Sequence, residues 1–268
     1  MPARPQSAAE FHALHMDFLI LPNAWDAASA RITQDAGAKA IATSSAAVAW
    51  AHGYADGHHF PIDKLIAVVE AIARAVNVPV TTDAEGGYDD DPARVRENVR
   101  ALIDAGAVGI NLEDGKWPHE LHLRKIEAAR EAGVQAGVDL FINARTDVIL
   151  KQLVAPEEAV AETLRRARAI KGAGASGLFV PGIADSAMIE TIAREAGLPL
   201  NVMARPGIAP AAELKAMGVK RLSAATGLFN AAMAATHDAA AEFLNGGDSE
   251  KLWARRGTPP DYNKLFAG

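Results

Sequence analysis

The stretch VPVTTDAEGGYDDDPARVRENVRALIDAGAVGINLED, residues 78–114, decides the fold. Residues 78–82 form an apolar, β-branched run that reads as a strand. The run ends in Asp83-Ala84-Glu85, just before Gly86-Gly87. Residues 92–105 read as a helix, with Asp91 as its cap and Pro92 in its first turn. A second apolar run, 108–112, ends in Glu113-Asp114. This is one strand–helix–strand unit with acidic residues at the same end of both strands. Parallel strands joined by a crossover helix bring their C-terminal ends side by side. Asp83, Glu85 and Glu113 are therefore expected to converge. Like charges held together need a cation, and hard oxygen donors suit Mg²⁺ or Mn²⁺. Taken alone, Asp83-x-Glu85 is equally readable as a capping or loop pair.

The same alternation runs outward in both directions. A short helix over 5–15 precedes a strand at 18–21, which ends in Pro22-Asn23-Ala24-Trp25-Asp26. Asp26 is placed to cap a helix through Ala36, and Gly37 to end it. A strand at 38–43 ends in Ser44-Ser45, and a loop of small residues is expected over 46–59 before a helix at 62–76. Beyond Asp114, strands are expected at 140–143, 177–180, 200–203 and 219–222, with helices between them and a last long helix at 224–244. The tag Ala-Gly-Ala, or Met-Gly-Val at Gly218, recurs where helices feed strands, at Gly37, Gly106, Gly174 and Gly218. Glycine takes the left-handed helix end without a Cβ clash. About eight strand–helix units in 268 residues predict a single-domain (β/α)₈ barrel of the TIM type. The barrel is expected over 1–245, with a tail at 246–268 that makes oligomer contacts. An open doubly wound sheet is the alternative, but no GxGxxG follows the first strand, so dinucleotide binding has no support.

Composition narrows the function. The net charge is −6 and no basic stripe stands out, which argues against nucleic acid or an anionic membrane surface as partner. The absence of cysteine excludes disulfides, cysteine-ligated metals and a cysteine nucleophile. No secretory h-region and no bilayer-length apolar run is found, so a cytoplasmic location is expected.

In a barrel the active-site groups come from the C-terminal strand ends. Read in order, those ends supply Asn23, Trp25 and Asp26; Ser44 and Ser45; Asp83 and Glu85; Glu113 and Asp114; Asn143, Arg145 and Asp147; Pro181-Gly182; Asn201 and Arg205; and Ser223. The set suits a metal-bound, carboxylate-bearing small molecule, since arginine grips a carboxylate through two parallel hydrogen bonds. Arg145 fits that role, or that of neutralising the acidic cluster. His58-His59 and the His119/His122 pair match zinc-ligand spacing only weakly.

Several segments together resemble the isocitrate lyase / phosphoenolpyruvate mutase superfamily. They are PNAWDAASA from Pro22, TSS from Thr43, GYAD from Gly53, TDAEGGY from Thr82, NLED from Asn111, NARTD from Asn143 and PLNV from Pro199. The resemblance implies that Asp83 binds Mg²⁺ or Mn²⁺ directly, while Glu85, Glu113 and Asp56 hold it largely through its waters. It implies that Trp25, Ser44, Ser45, Arg145 and Asn201 surround a small carboxylic acid. The implied chemistry is that of a lyase passing through a pyruvate-like enolate by carbon–carbon cleavage, with carbon–phosphorus chemistry or oxaloacetate decarboxylation or hydrolysis as alternatives. A homodimer or homotetramer that exchanges its last barrel helix is also implied. The chain departs from the lyases after Glu113-Asp114, where it reads Gly115-Lys116-Trp117-Pro118-His119 without the lid cysteine. Isocitrate-type cleavage by the cysteine route is therefore not expected, and Lys116 and His119 are the local candidates for proton transfer. The missing cysteine also motivates a contrary reading, a metabolite-binding barrel without turnover.

Overall fold

A computed structural model describes residues 5–115 and 117–267, so Lys116 lies outside the described residues. The strands are β1 (Leu19–Leu21), β2 (Asn23–Ala24), β3 (Ile41–Thr43), β4 (Val80–Asp83), β5 (Gly109–Glu113), β6 (Phe141–Arg145), β7 (Gly177–Phe179), β8 (Leu200–Met203) and β9 (Arg221–Ser223). All neighbours pair in parallel, in the order β1-β9-β8-β7-β6-β5-β4-β3-β2.

The two ends of that order are the two halves of one chain segment. Pro22 separates β1 from β2, and proline has no N–H to give to a ladder. Its carbonyl still accepts from the Ala42 amide at 3.1 Å. Residues 19–21 pair with β9 and residues 23–24 with β3, so the sheet closes on itself. The chain thus forms a TIM-type barrel with eight physical strands, as the alternation predicts.

Helices pack around this barrel. The first, Pro5–Leu14, plugs its N-terminal end: Phe11 is fully buried and meets Phe141 edge to face at 5.3 Å. Gly109 makes room for that plug. A Cβ there would lie 2.8 Å from Phe11 Cε1 and 3.2 Å from the Phe141 carbonyl.

The expected loop at 46–59 is in part a helix, Ser45–Ala51, with Ser44 as its cap. The run Ala46-Ala47-Val48-Ala49 is buried there, so packing sets its conformation. The last long helix is Gly227–Gly246, and two short helices, Ser249–Arg255 and Tyr262–Leu265, follow it in the tail. Gly227–Gly246 stands off its own barrel: of its 20 residues only Phe229 is buried. On the strand next to β9, Ile20 is 61% exposed. Among the described residues no helix is long and apolar enough to cross a membrane.

Candidate active site

The inward-facing residues of β5 to β9 make a polar floor. Asn143 Nδ2 donates to Asn111 Oδ1 at 2.9 Å and to Asn201 Oδ1 at 3.0 Å. Asn201 Nδ2 in turn donates to Ser223 Oγ at 3.2 Å. These asparagines are buried and satisfy one another, as buried amides must. Above the floor, at the C-terminal strand ends, lies a cavity of about 200 Å³. Asn23, Ser44, Ser45, Asp56, Asp83, Asn111, Arg145 and Ser223 line it, with Leu150, Phe179, Pro181 and Met203 as an apolar wall.

Asp83 ends β4 and is held from two sides. Its Oδ2 accepts from the Ser45 hydroxyl at 3.0 Å and the Ser45 amide at 3.3 Å. Burial raises its pKa, against the pull of the Arg145 charge and of the Ser45 hydrogen bonds. Glu85 has a left-handed backbone, φ 47°, unusual for a residue with a side chain. Its carboxylate accepts from the His58 amide and from Tyr88 Oη at 3.0 Å, and lies 3.1 Å from His58 Nδ1. Burial, and then the Asp83 charge, push Glu85 up to about 7. Glu113 ends β5, directly across from Arg145 in the ladder. Burial raises it to about 7 as well; the Arg145 charge opposes this and the Asp83 charge adds to it.

Arg145 is the cation that faces the cluster. Its Nη1 lies 2.6 Å from Glu113, while Nε and Nη2 bridge both oxygens of Asp147 at 2.7 and 3.2 Å. Burial works against its charge, but Glu113, Asp147 and Asp83 outweigh that and hold it above its ordinary value. A guanidinium has five N–H groups. Three are used in these contacts, which leaves one on each Nη.

The donor set fits a divalent cation. Asp83, Glu85 and Glu113 supply hard oxygens, and burial makes their negative charge costly without a counter-ion. Arg145 carries one positive charge and already shares it with Asp147. Among the described residues, Asp83 Oδ1 accepts only a long bond from the Glu85 amide at 3.3 Å.

The segment after Glu113 is pinned rather than open at Trp117. A Cβ on Gly86 would lie 2.6 Å from Trp117 Cζ3, and one on Gly115 2.9 Å from the same atom. Two glycines therefore make the slot for this indole. Lys125 Nζ, buried, sits 4.3 Å from the indole centre and donates to the Gly86 carbonyl at 2.9 Å. The His58 ring meets it edge on at 5.0 Å. The Trp117 indole thus ties its segment to the loop that carries Glu85.

Of the residues singled out in the sequence, Ser44, Ser45, Asp56, Asp83 and Arg145 line the cavity, with Glu113 and Glu85 bonded around them. Trp25, Asn201 and His119 lie outside the lining. Trp25 packs edge to face on Phe229 at 5.2 Å. Asn201 belongs to the floor, and His119 is buried beside Asp114 and His122. Asn111 lines the cavity but was not in the strand-end set. Its signal is the alternation of β5, where Asn111 and Glu113 share a face and Ile110 and Leu112 the other.

The profile of the phosphoenolpyruvate phosphomutase family matches residues 11–244. The crystal structure of a putative phosphonomutase from Burkholderia cenocepacia is 43% identical, covers 87% of this chain and 98% of its own, and superposes with a TM-score of 0.84. An uncharacterised protein of Mycobacterium tuberculosis is 34% identical over 88% of this chain and 89% of its own length. An oxaloacetate decarboxylase of Pseudomonas fluorescens is 30% identical over 80% of this chain and 76% of its own length.

Proposed function

The chain belongs to the phosphoenolpyruvate mutase / isocitrate lyase superfamily of lyases and mutases, and from that premise we propose a divalent-metal-dependent lyase for a small 2-oxo or 2-hydroxy carboxylic acid. The observation that carries this reading is Asp83 and Arg145 lining one cavity sized for a small acid, with Glu113 paired to Arg145 at 2.6 Å and the Glu85 amide donating to Asp83.

In this reading Asp83 holds Mg²⁺ or Mn²⁺, with Glu85, Glu113 and Asp56 acting largely through its waters. The ion supplies Lewis-acid stabilisation of negative charge on the substrate's oxo oxygen. Ser45 aims Asp83 through two hydrogen bonds. Ser44 and the Ser45 backbone flank the place of a substrate carboxylate or enolate oxygen. Arg145 offers its two remaining N–H groups to a substrate carboxylate, in the fork that suits it. The apolar wall of Leu150, Phe179, Pro181 and Met203 excludes water from the breaking bond. The break is carbon–carbon, leaving a pyruvate-like enolate that takes up a proton. Of the two proton-transfer candidates, His119 lies with Asp114 and His122, and Lys116 is outside the described residues.

Carbon–phosphorus chemistry is the second reading, favoured by the likeness to a putative phosphonomutase. A panel of oxaloacetate, methylisocitrate, dimethylmalate-type acids and phosphonopyruvate, assayed with Mg²⁺ and with EDTA, separates the two. EDTA-sensitive turnover of an oxo or hydroxy acid supports the lyase, and turnover of phosphonopyruvate alone supports the second reading. No turnover of any would support a metabolite-binding barrel instead.

We also propose a homodimer or homotetramer in which helix Gly227–Gly246 and the 246–268 tail pack on a partner. Support comes from exposed Ile20 and from Leu228, Met233, Phe243 and Trp253, all exposed on this arm. A monomer by light scattering at micromolar concentration would contradict it. A cytosolic location fits a chain without cysteine.

A further inference from the structure

We propose that Asp114, His119 and His122 form a second metal site, separate from the carboxylate cluster and suited to a transition-metal ion such as Zn²⁺ or Co²⁺. Asp114 follows β5 directly; His119 opens helix His119–Ala136 and His122 stands one turn further in. One ligand atom from each lies within 4.8 Å of the others, and the residues are 0%, 8% and 1% exposed.

The hydrogen bonds say which atoms are available. His122 Nε2 lies 3.0 Å from the Leu112 carbonyl. A carbonyl only accepts, so Nε2 carries the hydrogen and Nδ1 keeps a bare lone pair. That Nδ1 is buried with no partner among the described residues. An imidazole that donates one N–H to a backbone carbonyl and presents its other nitrogen is the arrangement that orients a metal-binding histidine. Both ring nitrogens of His119 are buried without a partner among the described residues. Buried polar atoms are normally satisfied, so three orphaned nitrogens at one point call for an occupant. Burial lowers the pKa of both rings, which leaves them neutral and ready to bind a cation.

Asp114 is anchored. Oδ1 accepts from the Asp147 amide at 2.8 Å, and Oδ2 accepts from Thr146 Oγ1 and Arg166 Nη1, each at 2.6 Å. Oδ2 is therefore filled, while Oδ1 keeps one acceptor position. Arg166 brings an opposing positive charge, but it is shared with Glu162 at 2.7 Å. Two imidazoles and one carboxylate are a nitrogen-rich set, which selects zinc-like ions over magnesium. Such an ion would fix both ends of the 115–118 segment, since Asp114 precedes it and His119 follows it.

The test uses the full-length protein after chelator dialysis, titrated with Co²⁺ in the presence of excess Mg²⁺. The parent and Asp83→Ala should both develop the visible d–d absorption of a nitrogen–oxygen site, with saturation at one ion per chain. His122→Ala should lose it. If that variant does not fold, His119→Ala serves, because the His119 ring makes no hydrogen bond among the described residues. A parent without the absorption overturns the proposal and leaves water as the occupant. So does a signal that survives His119→Ala or disappears in Asp83→Ala, which would assign the cobalt to the first site.

Discussion

Withdrawing the divalent cation should tilt the pH dependence of folding, and the tilt can be worked from two side chains. In the metal-free protein Glu85 and Glu113 each titrate at about 7, against an ordinary value of 4.5, chiefly because both are buried. Between those values the folded chain keeps protons that the unfolded chain has released, so stability falls as pH rises. The favourable contribution is complete below 4.5 and is lost through about 7. At about 1.4 kcal/mol per pH unit, each group accounts for about 3 kcal/mol across the window. Both groups interact with Asp83, so about 6 kcal/mol is an upper bound for the pair. A cation bound among the carboxylates keeps them ionised and removes the decline. Urea unfolding should then show a falling midpoint from about pH 5 to pH 7.5 in EDTA, and a flat or rising one in saturating Mg²⁺. Glu113→Gln should remove about half of the decline in EDTA. Parallel profiles with and without Mg²⁺ would refute the reasoning, because the buried carboxylates would then not be answering to a cation.

Other perturbations separate the site from its scaffold. Gly86→Ala places a Cβ 2.6 Å from Trp117 and 3.0 Å from His58 Nε2. It should cost about 1–3 kcal/mol by overpacking and weaken Mg²⁺ binding through the Glu85 loop, with both defects relieved by Trp117→Leu in calorimetry and thermal melts. Arg145→Lys keeps the charge but loses the fork; with about 1.5–3 kcal/mol per charge-assisted hydrogen bond, kcat/KM should fall at least about tenfold on the substrate found by the panel. Gly109→Ala meets Phe11 and the Phe141 carbonyl at the opposite end of the barrel. It should lower stability by about 1–3 kcal/mol while KM stays unchanged; a KM effect would show that the two ends are coupled.

The barrel was legible because period and punctuation agree. Apolar runs, capped helices and the glycine tags each point to parallel strand–helix units. The acidic strand ends were legible for the same reason, since register follows from parallel pairing: Asp83 does lie across from Asn111, and Glu113 from Arg145. What escaped depends on contacts distant in sequence. The helix Ser45–Ala51 sits in a run of small residues with no amphipathic signature, and burial of Ala46 to Ala49 supports it behind the Ser44 cap. Pro22 divides a strand whose halves pair with opposite ends of the sheet, which only closure of the barrel explains. The slot for Trp117 needs Gly86 from another loop, and no local pattern announces it. Asn201 reads as a pocket residue from its strand, yet its amide is engaged by Asn143 and Ser223 in the floor. Helix Gly227–Gly246 buries only Phe229 against its own barrel, which its apolar composition does not announce.

The central claim, that Asp83 anchors a divalent cation for catalysis, is tested most directly by calorimetric titration of Mg²⁺ into the parent and Asp83→Ala. The account predicts binding at one ion per chain in the parent and its loss in the variant. Equal affinity in both would contradict it.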